Sequence, residues 1–299
     1  MLSRVLPKPV IGTLTVALMV PSLLLWTIGT MIPGILLKLV PVFAVQRAGA
    51  RYCVWCARRW VGTNQLIFRL LHGLPRADAY GDLRIDGGLE PGKSYLLISN
   101  HQSWADILIL FACFHGRVPF LRFFLKQDLI YVPIIGVVCW AMDFPFMTRK
   151  SGAADIATTR RACEVYKLDP VTVVNFLEGT RFTPAKHAAK QSPFTRLLRP
   201  KAAGLSYTLN AMGEQFAGLI DVSVVYQPST RPLVWSWLCG EQNHVRVQAR
   251  VAALPAELLD GDYAQDAAFR AAFQNWVNGL WQDKDGALAQ LRSEVGGRL

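Results

Sequence analysis

The first apolar segment of the chain is long enough to cross a membrane. Between Lys8 and Lys38 lie 29 residues without a charge, and a helix needs roughly 20 apolar residues to span the hydrocarbon core of a bilayer. Pro21 and the pair Pro33-Gly34 interrupt this segment, so the pattern fits either one kinked span or a helix followed by a re-entrant return. We therefore expect an N-terminal membrane helix or a re-entrant hairpin.

The segment that follows mixes apolar and basic side chains at helical spacing. Residues 51–72 contain two tryptophans and four arginines among leucine and isoleucine. This composition is typical of an amphipathic helix that lies on an anionic bilayer surface. The alternative is a helix of the protein core whose arginines reach solvent.

From about residue 79 onward, strand-like runs alternate with helical ones, which indicates an α/β fold with a mostly parallel central sheet flanked by helices. The runs at 94–99 and 171–177 are apolar throughout, like strands buried on both faces. Residues 244–251 alternate apolar and polar side chains, like a half-buried strand. The remaining predictions are helices at 107–114 and 153–167, and a helical pair over 264–291 that is broken near 283–286.

These patterns divide the chain into three parts. Residues 1–76 form a membrane-anchoring unit, residues 77–260 form the α/β domain, and residues 261–299 form a C-terminal helical extension. Within the domain, residues 129–142 carry no charge. Since this run is too short to span a bilayer, it is either a core helix or an apolar wall at the membrane interface.

Charge strengthens the membrane assignment. Nine basic residues and no acidic residue precede Asp78, whereas the rest of the chain has 23 basic and 21 acidic residues. Each basic residue near an anionic bilayer contributes about 1 kcal/mol of attraction. The basic residues are denser after the apolar segment than before it, which predicts that the domain faces the cytoplasm. A nucleic-acid partner is not expected, because its binder would carry the basic residues over the folded body.

The strongest chemical signal lies where the strand at 94–99 gives way to the helix at 107–114. His101 and Asp106 are five residues apart there. A histidine can act as a general base, and a carboxylate can orient its ring and stabilise the imidazolium. Alternatively, Ser103 and Asp106 form the capping box that starts the helix. The local pattern fits both roles.

A second cluster follows the strand at 171–177. The chain continues as Glu178-Gly179-Thr180-Arg181, and between residues 179 and 213 it has six basic and no acidic residues. A glycine turn and an arginine at the carboxyl end of a strand are suited to binding a phosphate. The alternative is a solvated basic loop. No metal or other cofactor is expected, because Cys53-x-x-Cys56 has no second pair of ligands.

Four segments, in order, resemble the motifs of the glycerophospholipid acyltransferase family, whose best-known members acylate lysophosphatidic acid. They are Asn100-His101-x4-Asp106, Phe146-Met-Thr-Arg149, Glu178-Gly-Thr-Arg181 and Asp221-Val-Ser-Val-Val-Tyr226, and a stretch around Lys126 also matches. Leu177 and Ser223 stand where many members carry proline, which is similar to the inner-membrane and lysocardiolipin-type members.

The resemblance implies a membrane-bound acyltransferase of a bacterial inner membrane. Its acyl donor would be acyl-CoA or acyl carrier protein, and its acceptor the sn-2 hydroxyl of a lysophospholipid. His101 and Asp106 would be catalytic. The residues implied in substrate binding are Lys126, Arg149, Glu178, Gly179, Thr180 and Arg181. Two other functions stay open from the residues alone: a thioesterase or lipid hydrolase that uses the same histidine, and a non-catalytic lipid-binding membrane protein.

Overall fold

The computed structural model describes residues 2–73, 82–148, 152–242 and 245–296. The strands are β1 (Asp82–Asp86), β2 (Ser94–Ser99), β3 (Leu121–Phe123), β4 (Leu125–Lys126), β5 (Phe146–Met147), β6 (Thr172–Asn175), β7 (Phe216–Val225) and β8 (Arg246–Ala252). The helices are α1 (Lys8–Leu24), α2 (Ile32–Leu39), α3 (Phe43–His72), α4 (Ala105–Phe114), α5 (Ile135–Ala141), α6 (Gly152–Tyr166), α7 (Pro184–Ala189), α8 (Ala203–Met212), α9 (Leu233–Leu238) and α10 (Ala267–Gly296).

Six strands form a mostly parallel sheet in the order β1-β8-β7-β2-β6-β3. All neighbouring strands run parallel except β7 and β8, which are antiparallel. In the central strand β2, Leu96, Leu97 and Ile98 are fully buried. Burial on both faces explains why this strand reads as a continuous apolar run. The predicted α/β class with a mostly parallel sheet flanked by helices is confirmed.

Helices cover both faces of the sheet. On one face the core includes Cys53 of α3, Ile109 of α4 and Trp237 of α9. On the other face α6, α8 and α10 pack together, with Tyr166 and Phe273 both buried. The domain therefore has three layers, with the carboxyl end of β2 near the middle of the sheet edge.

Most predicted elements are present with shifted ends. The strand predicted at 171–177 is limited to β6, and the strand predicted at 244–251 is β8, although its first predicted residue, His244, lies outside the described residues. The C-terminal prediction of two helices is wrong, because α10 continues through 283–286 without a break. Lys284 and Asp285 do not mark a loop. Both are buried and bind the domain, which offsets the cost of about 1 kcal/mol for Gly286 within a helix.

The N-terminal helices form a hairpin. A π-helical turn, Leu25–Thr30, continues α1, and the combined helix Lys8–Thr30 is the one candidate membrane span among the described residues by length and composition. The chain continues through α2, reverses, and runs back as α3. Thr15 contacts His72 near one end of α3, at 3.0 Å between Oγ1 and Nε2. Trp26 donates from Nε1 to Thr63 Oγ1 at 3.0 Å further along.

Helix α3 combines the two interpretations of residues 51–72. One side is buried against the domain through residues such as Cys56 and Phe68. The other side exposes Trp55, Leu66 and Leu70. The helix is therefore docked to the protein core and still presents apolar surface outward.

The charge-free run at 129–142 is not a core helix. A 3-10 turn (Gln127–Tyr131) and α5 cover it. Met142 at its end is buried in the core, but most of its large apolar side chains are exposed. Tyr131 is 81% exposed, and Ile135 and Val137 are each about half exposed. Lys38 of α2 bonds Asp143 directly after this run, so the exposed surface lies beside the N-terminal hairpin.

We expect Gly49→Ala to separate α2 from α3 and destabilise the hairpin. A Cβ atom at position 49 would lie 2.6 Å from the carbonyl oxygen of Gly34 and 2.9 Å from the Cβ atom of Leu37. Overpacking of this kind costs about 1–3 kcal/mol. The matched control is Gly62→Ala on the same helix, where the nearest heavy atom would be 3.8 Å away. The melting temperature of the full chain in detergent should fall for Gly49→Ala only, and equal melting temperatures would contradict the close helix contact.

Candidate active site

The first motif lies at the carboxyl end of the central strand. β2 ends at Ser99, and a short loop leads into α4. The buried Asn100 fixes this loop, because its amide nitrogen donates to the Val224 carbonyl oxygen at 2.9 Å and its oxygen accepts from the Val224 amide at 2.8 Å. Ligands of α/β sheets bind beyond the carboxyl ends of the strands. His101 therefore stands where a substrate is expected.

His101 and Asp106 form a hydrogen-bonded pair. The distance from His101 Nδ1 to Asp106 Oδ2 is 2.8 Å. The same oxygen accepts from the backbone amides of Gln102 at 2.7 Å and Ser103 at 2.9 Å. Because an ionised carboxylate only accepts hydrogen bonds, the ring donates from Nδ1 and keeps its lone pair on Nε2. His101 thus presents Nε2 as a proton acceptor.

The alternative role of Asp106 as a helix cap is present in the same geometry. Ser103 Oγ accepts from the Ala105 amide at 3.2 Å, and Asp106 accepts from the Ser103 amide. The bond from the Ser103 amide to Asp106 is one half of a capping box, whereas the Asp106 amide donates to the Ser103 carbonyl oxygen and not to its hydroxyl. One carboxylate therefore closes the start of α4 and orients the His101 ring.

Tyr226 completes the surroundings of Asp106. Its hydroxyl donates to Oδ1 of Asp106, the oxygen that the ring does not use. Burial raises the pKa of Tyr226 well above its usual range, and the nearby Asp106 charge raises that pKa further. Tyr226 therefore remains a donor at every physiological pH.

Glu178 lies beneath the His101 loop and points away from the surface at which His101 stands. Its side chain is fully buried. Oε1 accepts from the His101 amide at 2.9 Å, and Oε2 accepts from the Leu198 amide at 2.8 Å. Burial raises the pKa of Glu178 to about 7, although these two amides lower it. This differs from the expected substrate contact, because Glu178 instead ties the His101 loop to the loop before α8.

Gly179 and Thr180 form the turn after Glu178. Gly179 has φ +64°, a left-handed conformation that favours glycine. A Cβ atom there would lie 3.2 Å from the Lys201 side chain, so the glycine also leaves room for that lysine. Thr180 Oγ1 accepts from Lys186 Nζ at 2.8 Å. The turn therefore presents a cation-rich rim.

Arg181 lies at the mouth of the same cavity. Its guanidinium carbon is 5.2 Å from the centre of the Trp104 ring, within range of a cation–π interaction. The next residue, Phe182, donates its amide to the His101 carbonyl oxygen at 2.7 Å. This backbone bond joins the first motif to the residue directly after the third motif, 81 positions later in the chain.

The other two predicted cations are placed differently. Lys126 ends β4, lines the cavity and pairs with Asp128 at an exposed position. Arg149 lies outside the described residues. The residue before it, Thr148, donates from its amide and its hydroxyl to Asp155 Oδ1 at 2.8 and 2.9 Å. Asp155 therefore fixes the position of Thr148, the last described residue before Arg149.

A cavity of about 580 Å³ is lined by both His101 and Arg181. Its inner wall is largely apolar and includes Phe123, Val174 and Phe176. The Phe176 ring stacks on His101, with 4.1 Å between the ring centres. The cavity thus combines a basic rim, one imidazole and an apolar interior.

Sequence reasoning gave no specific role to three residues of this site. Trp104 stacks on Arg181, Phe176 supports the His101 ring, and Lys201 lines the cavity. Lys201 was visible only as one cation of the basic stretch. For Trp104 and Phe176 the sequence offered no signal beyond their closeness to the motifs.

The family model for acyltransferases matches residues 82–227. This range contains His101, Asp106, Glu178, Arg181 and Tyr226. Among curated proteins, the chain is similar to the human 1-acyl-sn-glycerol-3-phosphate acyltransferase delta, with 25% identity over 210 residues, 66% of this chain and 53% of that protein. The human alpha protein of the same name is 31% identical over 107 residues, 36% of this chain and 35% of that protein.

The chain spans about half the length of curated relatives such as the delta proteins of human and Macaca fascicularis. Among solved structures, its fold is similar to that of the 1-acyl-sn-glycerophosphate acyltransferase PlsC from Thermotoga maritima. The TM-score is 0.53 with 15% sequence identity, and the match covers 93% of this chain and 95% of the other. That similarity supports the α/β fold.

We expect Tyr226→Phe to destabilise the domain by roughly 1–3 kcal/mol, because it leaves a buried Asp106 oxygen without its side-chain donor. The matched control is Tyr263→Phe, which removes a hydroxyl that bonds the Gln274 side chain at 3.3 Å near the surface. The control should change the unfolding free energy by less than about 0.5 kcal/mol. Denaturant titration measures both, and equal small changes would show that Asp106 does not depend on Tyr226.

Proposed function

Because the chain belongs to the glycerophospholipid acyltransferase family, we propose that it transfers a fatty acyl group to the sn-2 hydroxyl of a lysophospholipid such as lysophosphatidic acid. The donor is a thioester, either acyl-CoA or acyl carrier protein. The observation that carries this proposal is the His101–Asp106 pair at the mouth of an apolar cavity with a basic rim. The names of the relatives support the same reaction class.

The proposed mechanism needs one base and no acyl-enzyme. His101 Nε2 removes the proton from the acceptor hydroxyl as the oxygen attacks the thioester carbonyl. The tetrahedral intermediate then expels the thiolate, which takes the proton back from the imidazolium. The buried Asp106 carboxylate stabilises the imidazolium while it exists.

Binding of the acceptor phosphate is assigned to the rim. Arg181 would contribute a guanidinium whose position the Trp104 ring supports, and Lys126 would contribute further positive charge. Arg149 lies outside the described residues, and its proposed part in phosphate binding rests on the resemblance of its motif. Gly179 and Thr180 shape the turn between the rim and the buried Glu178. Holding the phosphate fixes the distance between the hydroxyl and His101, and such positioning supplies several kcal/mol of a typical barrier reduction.

We further propose that the protein acts at a bacterial inner membrane with its domain on the cytoplasmic side. Three observations support a bilayer partner: the apolar helix Lys8–Thr30, the excess of basic residues before Asp78, and the exposed side chains of 129–142. The surface formed by residues 129–142 begins at Leu129, and Leu129 also lines the cavity. An acceptor held in the bilayer would therefore meet the cavity close to the membrane surface.

We expect His101→Ala to abolish acyl transfer while membrane association remains. Labelled acyl-CoA, supplied with and without lysophosphatidic acid, distinguishes the alternatives. Label that appears in the lipid supports transfer, and label released equally without acceptor supports a thioesterase. Normal function of His101→Ala would favour the non-catalytic lipid-binding alternative.

Asp106→Asn separates the two roles of this residue. Its remaining oxygen can still accept the capping amides, but the negative charge that stabilises the imidazolium is lost. We expect a folded protein with kcat lowered by about 10²-fold or more. Full activity would mean that Asp106 serves α4 alone, and the circular dichroism spectrum shows whether the variant is folded.

Arg181→Ala should raise the KM for the acceptor about tenfold or more, since a charged hydrogen bond to phosphate contributes about 1.5–3 kcal/mol. The matched control is Arg199→Ala in the same basic stretch, whose guanidinium bonds the Gln191 carbonyl oxygen away from the cavity. An unchanged KM in Arg181→Ala, or an equal rise in both variants, would remove Arg181 from the phosphate site.

A further inference from the structure

The C-terminal helix α10 lies beyond the matched residues 82–227, yet it contacts segments that carry the active site. Three of its side chains, Trp281, Lys284 and Asp285, are 0%, 1% and 7% exposed. Each of them bonds a group outside the helix. A lysine and an aspartate are almost never buried unless they are paired, so these contacts need an explanation.

Three hydrogen bonds, by way of Leu198 and Glu178, connect Trp281 to the backbone amide of His101. Its Nε1 donates to the Leu198 carbonyl oxygen at 3.0 Å. The amide of the same Leu198 donates to Glu178 Oε2 at 2.8 Å, and Glu178 Oε1 accepts from the His101 amide at 2.9 Å. Leu198 is thus fixed on one side by the helix and on the other by Glu178.

Asp285 also holds the loop at 195–198, which contains Leu198. Its two carboxylate oxygens accept from the backbone amides of Thr195 at 2.8 Å and Arg196 at 2.7 Å. A loop of irregular structure must find partners for its backbone groups when it is buried. Here α10 supplies partners on both sides of residue 197, so the position of the loop depends on the helix.

Lys284 ties the helix to the sheet. Its Nζ donates to Asp221 Oδ1 and, at 2.6 Å, to the Val222 carbonyl oxygen on β7. These two residues are paired in register with Ile98 and Ser99 of β2, directly before the His101 loop. The positive charge of Lys284 also lowers the pKa of Glu178, against the effect of burial.

We propose that Trp281, Lys284 and Asp285 are positioning residues, which set the placement of His101 through the loop at 195–198, Glu178 and the end of β7. This inference rests on the proposed acyl transfer and extends its machinery to a helix outside the matched range. Misplacement of a catalytic group by about 1 Å can cost about 10²-fold in rate. Small changes in α10 therefore affect kcat.

The leading test is Trp281→Phe, which keeps an aromatic ring but removes the Nε1 donor and the pyrrole part of the buried indole. We expect kcat to fall by about tenfold or more, with the KM values for acceptor and donor within about twofold of the wild type. The matched control is Trp276→Phe on the same helix, whose ring packs edge-on against Phe273 at 5.4 Å. An equal change of kcat in both variants, or none in Trp281→Phe, would overturn the proposal.

A second variant covers the case in which Trp281→Phe does not fold. Asp285→Asn retains one acceptor for the two amides of Thr195 and Arg196, and it should also lower kcat without raising KM. Here the control is Asp283→Asn, a neighbouring carboxylate with 67% of its side chain exposed. Equal activity of the two asparagine variants would count against the proposal.

A double-mutant cycle tests the route through Glu178. If Trp281 acts through Glu178, Trp281→Phe should cost much less in a Glu178→Gln background than in the wild type. If the two losses multiply, Trp281 does not act through Glu178 and this route is wrong.

A readout without turnover separates this proposal from the proposed function. The ring signal of His101 in a histidine-labelled sample is assigned by its loss in His101→Ala, and it should shift in Trp281→Phe but not in Trp276→Phe. A shift without acyl transfer in the wild type would count against the function alone. An unmoved signal in Trp281→Phe would count against the positioning role alone.

Discussion

The site depends on one buried carboxylate, which accepts hydrogen bonds from four donors. Asp106 has no exposed surface, and its two oxygens accept from the His101 ring, two backbone amides and Tyr226. An unpaired buried charge is so costly that the donors cannot be separated without a large loss of stability. The loop after β2, the start of α4 and the end of β7 are therefore held together by the residue that orients the His101 ring. The geometry of the proposed catalytic pair and the stability of these three segments therefore depend on the same hydrogen bonds.

The sequence could predict those parts of the fold whose causes are local. A continuous apolar run such as β2 needs burial on both faces, and this is enough to predict a parallel sheet. His101 and Asp106 could be identified as a pair because their bond closes within five residues. The turn at Gly179 could also be predicted, because a strand end followed by glycine and arginine suits an anion.

The remaining features depend on partners far along the chain. Lys284 and Asp285 resemble a helix break when only neighbouring residues are considered, but their partners lie 62 to 90 positions earlier. Glu178 resembles a binding residue until its two acceptors are found occupied by amides of His101 and Leu198. The sequence contains these residues but not the tertiary distances that decide their roles.

The π-helical turn at Leu25–Thr30 sets which faces of the N-terminal helices meet α3. Thr15 contacts His72 of α3 before this turn, and Gly34 packs against Gly49 of α3 after it. An α-helix advances by about 100° per residue, and a π-helical turn absorbs one residue, so the turn changes the direction in which the positions after it face. Ser22 and Thr27 lie five residues apart across this turn and are both buried. This spacing fits a turn that absorbs one residue. Loss of a single residue here would rotate Gly34 away from Gly49 without changing any side chain at the contact.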